Sequence, residues 1–357
     1  MIRSRATVIL RSLPAVFAAV SLLSGCATPR SVDFSVELPQ GVRDGRPRFD
    51  DIFCAVLKEH GPGLPDYRGC EAALSRTDPP PAMLGQPVDL GPSRRKLVAG
   101  IVPGIGFGCI QKWLEASGSS AAHVAGQGYE MQIFNIDALS GSATNALLIR
   151  DAIMEMPEEA GPPRLVLVGY SKGAPDILEA VVNFPEIRPR IAAVVSAAGA
   201  VGGSLLANDA KQSEADLARH FPGAKCDGGD EKGVWSLRTD VRRTWLAEHP
   251  LPSEVRYYSL VTLPDRERIS RILSHSYKKL AKVDARNDSQ VIYSDQIIPG
   301  STLLGFINAD HWAIALPIDR SHSFVGSTFV NRNDYPREAL LEAILRYIEE
   351  DLGRGGP

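Results

Sequence analysis

Short apolar runs alternate with segments of helical periodicity, and this alternation constrains the fold of the chain most strongly. Buried strands of a parallel sheet are apolar throughout, and helices must cover both of its faces. We therefore predict an α/β fold with a mostly parallel central sheet flanked by helices. The six predicted strands are 96–102, 130–136, 165–168, 191–196, 255–263 and 302–307, and the clearest helical segments are 143–156, 174–183 and 336–352.

The first 25 residues have the pattern of an export signal. Three arginines precede an apolar run over 13–23, which is too short to span a membrane as a permanent helix. Ser24 and Gly25 lead into Cys26, and this ending resembles the lipobox of bacterial lipoproteins. The resemblance implies a lipid anchor on Cys26. Because Ala27 replaces the aspartate of inner-membrane lipoproteins, it also implies the outer membrane, facing the periplasm. An ordinary secretion signal is the alternative.

Composition divides the remaining chain into segments with different roles. The segments are a polar tether (26–48), a helical and loop extension (49–95) and the main domain (96–352), which contains an insertion at about 205–252. The insertion is rich in charge and predicts helices at 212–220 and 239–248. It lies where a lid would cover the carboxyl edge of the sheet, and a structural excursion is the alternative. A formal charge of −3 without a long basic block gives no reason to expect nucleic acid as a partner.

Four cysteines remain beyond the signal. An even number in an oxidising compartment predicts disulfides. Cys54 and Cys70 lie in one short segment and form the favoured pair, which leaves Cys109 for Cys226. Free buried thiols are the alternative. No Cys-x-x-Cys pair is present, so the pattern does not indicate a zinc or thioredoxin-type site.

A single serine stands between two glycines directly after the third predicted strand. The residues are Gly169-Tyr170-Ser171-Lys172-Gly173, and a helical pattern begins after them. Glycine at both ends lets a strand and a helix pack closely across a tight turn. The turn lifts the serine hydroxyl clear of the backbone and aims the positive end of the next helix at it. We interpret Ser171 as a nucleophile, with an ordinary turn serine as the alternative.

This turn resembles the nucleophile elbow of the α/β-hydrolases, in which nucleophile, acid and histidine follow in that order along the chain. A serine needs a base, and His311, just past the last predicted strand, is the candidate among seven histidines. Asp295 is the predicted acid that orients His311, because it lies just before that strand. Asp265, near the end of the fifth strand, is the alternative. The side chain of Asp310 is expected to diverge from its neighbour His311.

Two backbone amides are predicted to hold the negative charge that develops on the substrate carbonyl. One belongs to Lys172, directly after the nucleophile. The other comes from the glycine-rich loop 102–109, where Ile105 is the first choice and Gly106 the second. A phosphate-binding loop is the alternative, but no Gly-Lys-Ser/Thr sequence closes this one.

The resemblance to α/β-hydrolases extends over about 96–352, and the lipase-like branch fits best. Three further segments resemble that branch: 198–207 (AGAVGGSLLA), 257–259 (YYS) and 294–295 (SD). The chain departs from many lipases at Pro103-Gly104, where they have His-Gly, and at Tyr170, where they have histidine. These departures leave the hydrolase class intact and argue against triglycerides as the substrate.

The resemblance implies a serine hydrolase that cleaves carboxylic ester bonds through an acyl-enzyme. It requires no metal and no organic cofactor. The expected partners are a small-molecule or lipid ester and, through the anchor at Cys26, a membrane. A non-catalytic envelope binding or assembly factor on the same scaffold is an alternative, since fold does not determine function. A peptidase or thioesterase with the same three residues is another.

Overall fold

The computed structural model describes residues 34–110, 118–157, 161, 164–209 and 229–354. The predicted signal, Cys26, the predicted helix 212–220 and Cys226 lie outside these residues. No helix in the described part of the chain is both long enough and apolar enough to cross a membrane.

A seven-stranded, all-parallel sheet forms the centre of the molecule, which confirms the predicted fold class. The strands are β1 (Phe34–Ser35), β2 (Arg43–Asp44), β3 (Thr77–Asp78), β4 (Val98–Val102), β5 (Glu130–Ile133), β6 (Leu165–Tyr170), β7 (Ile191–Ala197), β8 (Tyr257–Thr262) and β9 (Thr302–Ile307). Their order in the main sheet is β2-β9-β8-β7-β6-β4-β5, and β1 pairs separately with β3. All six predicted strands are present. The edge strand β2 was not predicted, because its two residues are polar and exposed.

Helices cover both faces of the sheet. They are α1 (Arg46–Glu59), α2 (Cys70–Ala73), α3 (Phe107–Ile110), α4 (Gly118–Gly126), α5 (Ser142–Glu155), α6 (Gly173–Asn183), α7 (Leu205–Asp209), α8 (Thr239–Glu248), α9 (Ser274–Leu280), α10 (Ile318–Ser321), α11 (Ser323–Thr328) and α12 (Arg337–Arg354). Val166 and Val168 of β6 pack on the side of α1 and α12, whereas Leu165 and Leu167 pack on the side of α5 and α6. This alternation is that of a strand buried on both faces.

The predicted helical segments correspond to α5, α6, α8 and α12. In the described part of the insertion, α7 and α8 flank a short 3-10 turn at Trp235–Leu237. The predicted disulfide between Cys54 of α1 and Cys70 of α2 joins these two helices, and its two Cα atoms lie 5.1 Å apart. Cys109 is also disulfide-bonded, but Cys226, its predicted partner, is not among the described residues.

Candidate active site

The turn between β6 and α6 has the geometry that its sequence predicted. Ser171 has a backbone φ of +55°, a strained value for a residue other than glycine. A Cβ atom on Gly173 would lie 2.0 Å from the carbonyl oxygen of Val102, and one on Gly169 would lie 2.5 Å from Ala174. Both positions therefore require glycine, and the close packing that they permit holds Ser171 in place.

Ser171 and His311 meet in a hydrogen bond, as predicted. The Oγ atom of Ser171 lies 2.9 Å from Nε2 of His311. The other ring nitrogen, Nδ1, lies 2.7 Å from Oδ2 of Asp288. All three side chains are buried, and they form one continuous hydrogen-bonded chain from carboxylate to hydroxyl.

The carboxylate of Asp288, which the sequence analysis did not identify, accepts four hydrogen bonds. Besides His311, the hydroxyl of Thr262 donates to Oδ2 at 2.6 Å. The backbone N–H groups of Gln290 and Val291 donate to Oδ1 at 2.9 and 2.8 Å. The N–H of His311 in turn donates to the carbonyl oxygen of Asp288 at 3.0 Å. These contacts determine the direction of the carboxylate and of the imidazole that it contacts.

The predicted contact between Asp295 and His311 is wrong. Asp295 lies in the 3-10 turn Tyr293–Gln296, where the chain begins its return to the start of β9. There its carboxylate pairs with Arg243 of α8 at 3.2 Å and lies against Gly202. Burial raises the pKa of Asp295, and the largely exposed Arg243 only partly opposes this effect.

The other two aspartates considered also lie away from the histidine ring. The alternative acid, Asp265, accepts a hydrogen bond from the side-chain amide of Asn308 at 2.9 Å. The carboxylate of Asp310 diverges, as expected, and accepts the backbone N–H groups of Ser270, Trp312 and Ala313. Burial raises the pKa of Asp310 despite these donors.

The hydroxyl of Tyr170 holds the backbone of His311 in place. It donates to the carbonyl oxygen of His311 at 2.8 Å, and the two rings lie 5.2 Å apart. Burial raises the pKa of Tyr170 well above its ordinary value, so the hydroxyl keeps the proton that it donates. Tyr170 therefore supports the position of the imidazole, which gives a role to the residue where many lipases have histidine.

The two residues predicted as oxyanion donors lie near Ser171, because Lys172 follows it directly and Ile105 lines the same cavity. The loop after β4 passes so close that a Cβ on Gly104 would lie 2.9 Å from Cβ of Ser171. The amide of Gly106, the second choice, is already bonded to the carbonyl of Ala138. No described group accepts a hydrogen bond from the amides of Ile105 or Lys172. These two amides remain available for a substrate oxygen.

The side chain of Lys172 has a structural partner of its own. Its buried ammonium contacts both carboxylate oxygens of Asp176, one turn along α6, at 2.7 and 2.8 Å. The side-chain amide of Asn145 on α5 donates to the same carboxylate at 2.7 Å. A buried charge that is paired and hydrogen-bonded in this way is tolerated. The network connects the turn that carries Ser171 to α5 and α6.

A cavity of about 600 Å³ opens onto Ser171 and His311. The insertion contributes Val234 and Leu237 to its walls. A second, mostly apolar cavity of about 130 Å³ lies between the sheet and α12. Both cavities are lined by Phe107, Tyr170 and Leu316.

Comparison with solved structures places this geometry among known enzymes. The chain is similar to the metagenomic carboxyl esterase MGS0156, at 40% sequence identity and a TM-score of 0.81, over 89% of this chain and 96% of that one. The mature lipase BlEst2 of Bacillus licheniformis has 22% identity and a TM-score of 0.51, over 67% of this chain and 93% of that one. The lipase of Staphylococcus hyicus has 12% identity and a TM-score of 0.50, over 75% and 99%.

These similarities differ in what they show. The two lipases have low sequence identity, so they show only that the fold is shared. The esterase, in contrast, matches this chain in sequence over nearly its whole length. No protein-family model matches the sequence, and a search of curated proteins finds no significant match. The parallel sheet, the serine turn and the esterase similarity agree with one another. The chain belongs to the same family as this carboxyl esterase, within the α/β-hydrolases.

Proposed function

We propose that the protein is a serine hydrolase that cleaves carboxylic esters of lipids or other acyl groups through Ser171, His311 and Asp288. The observation that carries this proposal is the unbroken hydrogen-bonded chain from Asp288 through His311 to Ser171, with contacts of 2.7 and 2.9 Å. A serine hydroxyl becomes an effective nucleophile when a positioned base takes its proton, and the base is effective when an acid orients it.

In the acylation step, Oγ of Ser171 attacks the ester carbonyl while Nε2 of His311 takes the hydroxyl proton. Asp288 accepts the Nδ1–H of His311, so that Nε2 is the unprotonated nitrogen, and it stabilises the imidazolium that forms. The amides of Ile105 and Lys172 donate to the carbonyl oxygen as it becomes negative. Removing one such donor costs about 3 kcal/mol of transition-state stabilisation. Collapse of the intermediate releases the alcohol, which takes the proton from His311.

In the deacylation step, a water molecule occupies the place beside His311 that the alcohol has left. His311 takes a proton from the water as the water oxygen attacks the acyl carbonyl, and then returns a proton to Oγ of Ser171. The products are a carboxylic acid and the restored enzyme. Nothing in these steps requires a metal or an organic cofactor.

The shape and lining of the cavities support an acyl group as the part of the substrate next to Ser171. Phe107, Tyr170 and Leu316 border both the cavity at Ser171 and the apolar cavity behind it. An acyl chain that passes between these side chains would bury its methylenes, each worth about 0.8 kcal/mol. A substrate with a medium-length or long acyl chain fits this lining better than a polar one.

We also propose that the enzyme acts at the cell envelope, as a lipoprotein anchored through Cys26 to the outer membrane and facing the periplasm. The lipobox-like ending at Cys26 supports this proposal. The disulfide between Cys54 and Cys70 is consistent with it, because such bonds persist in oxidising compartments. Metabolic labelling with a palmitate analogue tests it, since Cys26→Ser should abolish incorporation.

A fluorophosphonate probe, which reacts only with an activated serine, tests the enzymatic proposal directly. The full chain in detergent should be labelled, and Ser171→Ala should not. Ser196→Ala is the matched control, because Ser196 is also buried but donates only to the carbonyl oxygen of Gln296. That control should label like the wild type.

Failure to label a folded wild-type protein would contradict the proposal and favour a non-catalytic binding or assembly factor. If the protein is labelled, esters, thioesters and peptides of matched acyl groups distinguish the three hydrolase classes. We expect esters to be cleaved with the highest kcat/KM.

A further inference from the structure

Three side chains, two on helices and one directly after a helix, converge on the face of the sheet covered by α1 and α12. His60 follows the end of α1, His123 lies on α4, and Glu342 lies on α12. Nδ1 of His60 and Nε2 of His123 lie 2.9 and 2.7 Å from the same oxygen, Oε2 of Glu342. All three atoms lie within 4.8 Å of one another. None of these residues borders the cavity at Ser171, so the cluster is separate from the site of ester hydrolysis.

These are the atoms that a transition metal of the zinc type selects. Zinc binds imidazole nitrogen and carboxylate oxygen at about 2.0–2.2 Å, which in a tetrahedral site separates neighbouring ligand atoms by roughly 3.3 Å. The two histidine nitrogens lie about half an ångström closer to Oε2 than ligand atoms of a zinc ion would, because each contact is a hydrogen bond with a proton between the two atoms. A small rotation of the two rings, with the unprotonated nitrogen of each turned toward Oε2, makes room for an ion between the three atoms.

The surroundings hold the carboxylate in the orientation that a metal ligand needs. The side chain of Glu342 is fully buried, and its other oxygen, Oε1, accepts a hydrogen bond from Nε of Arg346 at 2.6 Å. Arg346 lies outside the proposed set of ligands, and outer contacts of this kind orient a metal ligand.

An ion from solution can reach this cluster. The side chain of His60 is 22% exposed and that of His123 is 10% exposed, so one side of the cluster is open to solvent. A water molecule can therefore complete a four-coordinate site. The two histidines and the glutamate come from helices far apart in the sequence, so a bound ion would join α1, α4 and α12 as the disulfide joins α1 to α2.

We propose that His60, His123 and Glu342 bind one divalent first-row transition metal, with zinc as the best fit. The ion stabilises the packing of the three helices and takes no part in the ester hydrolysis. Each ring must present an unprotonated nitrogen to the metal, so a neutral ring moves its proton to its other nitrogen and a charged ring releases one proton to the solvent. Two neutral imidazoles and one carboxylate then hold the ion.

Cobalt is the probe for the test, because Co²⁺ in a four-coordinate site absorbs strongly in the visible range. The full chain in detergent, first freed of metal with a chelator, should show this absorption and saturate at one Co²⁺ per chain. Added Zn²⁺ should remove the absorption by displacement. The wild type should also unfold at a higher temperature with Zn²⁺ than without it, since a ligand of the folded state stabilises that state.

The double variant His60→Gln/His123→Gln removes two of the three ligands but keeps polar side chains of similar size. We expect it to bind Co²⁺ more than about 100-fold more weakly, since even the loss of an outer contact costs 10–100-fold. His249→Gln is the matched control, because His249 stacks on Trp245 outside the cluster. The control should bind Co²⁺ as the wild type does.

Two outcomes would overturn the proposal. One is the absence of the Co²⁺ absorption in a folded wild-type chain. The other is equal Co²⁺ affinity in the wild type and the double variant, which would mean adventitious binding elsewhere. In either case the cluster is a hydrogen-bonded group that pairs Glu342 with Arg346. Fluorophosphonate labelling of the same samples shows independently that they are folded.

Discussion

Replacing Asp288 with asparagine tests the proposed mechanism most sharply, because the structure predicts how the new side chain will orient. Asparagine has one oxygen and one NH₂ group where aspartate has two oxygens. In the wild type, Oδ1 accepts two backbone N–H groups, from Gln290 and Val291. Oδ2 accepts from the ring of His311 and the hydroxyl of Thr262. The single oxygen of asparagine can take only one of these two places.

The backbone N–H groups of Gln290 and Val291 determine how the new asparagine side chain is oriented. If the NH₂ group faced Gln290 and Val291, two buried N–H donors would lose their acceptor, at about 1–3 kcal/mol each. If it faces Thr262 and His311, the Thr262 hydroxyl can turn to donate to Oε1 of Gln296, which lies 3.2 Å away. The second orientation is therefore favoured, and it places an N–H donor against Nδ1 of His311.

That orientation selects the wrong tautomer of His311. Nδ1 must then be the acceptor, so the proton of a neutral ring is on Nε2, which can no longer take the proton of Ser171. We expect kcat on a soluble p-nitrophenyl ester to fall by about 10⁴-fold with little change in KM, as for the equivalent change in a serine protease. This loss corresponds to roughly 5.5 kcal/mol of activation free energy.

Asp295→Asn is the matched control, because it makes the same chemical change in the aspartate that the sequence favoured. Asp295 pairs only with Arg243, whose side chain is 63% exposed, and such pairs contribute at most about 1 kcal/mol to stability. We expect this variant to keep the wild-type kcat. If Asp288→Asn retained more than about a tenth of kcat, or if Asp295→Asn lost as much as Asp288→Asn, the assignment of the acid would be refuted. Thermal unfolding of both variants shows whether the fold is intact.

Two further predictions concern stability and substrate range. Burial raises the pKa of Asp50 on α1 to about 7 from an unfolded value of 3.8. The contribution of this carboxyl group to the free energy of unfolding is therefore complete below pH 3.8 and is lost as the pH rises through about 7. The difference corresponds to roughly 4 kcal/mol. Asp50→Asn should therefore raise the unfolding temperature at pH 8 but not at pH 4, and a difference independent of pH would contradict this. Leu316→Trp, at the junction of the two cavities, should lower kcat/KM for octanoate esters far more than for acetate esters; an equal effect on both would argue against an acyl path there.

The fold was predictable because its determinants are local. Each interior strand is an apolar run, and the helices that cover the sheet repeat their apolar residues at helical spacing. The serine turn was predictable for a similar reason, since Gly169 and Gly173 are required by contacts within a few residues and with one neighbouring strand. The edge strand β2 was missed because an exposed pair of polar residues has no such pattern.

The acid was not predictable in the same way, because it depends on the path of the long connection between β8 and β9. Asp284, Asp288 and Asp295 all lie in that connection. Their distances from the last strand along the chain do not distinguish which of them meets the histidine. In the structure, Asp284 pairs with Arg286, Asp295 pairs with Arg243 of the insertion, and only Asp288 reaches His311. Arg243 and His311 lie far along the chain from the aspartates that they contact, so a local pattern does not reveal these pairs.

A physical requirement nevertheless separates the true position from the others. An acid that orients a histidine needs several directional hydrogen bonds of its own, since a carboxylate held by one exposed cation can move with it. Asp288 obtains two of them from the N–H groups two and three residues ahead, in a turn where Ser289 has a φ of +85°. Aspartate caps turns of this kind, and Asn287-Asp288-Ser289 is a composition that favours them. A preference for aspartates in such turns, rather than for those nearest the last strand, would have selected Asp288 over Asp295.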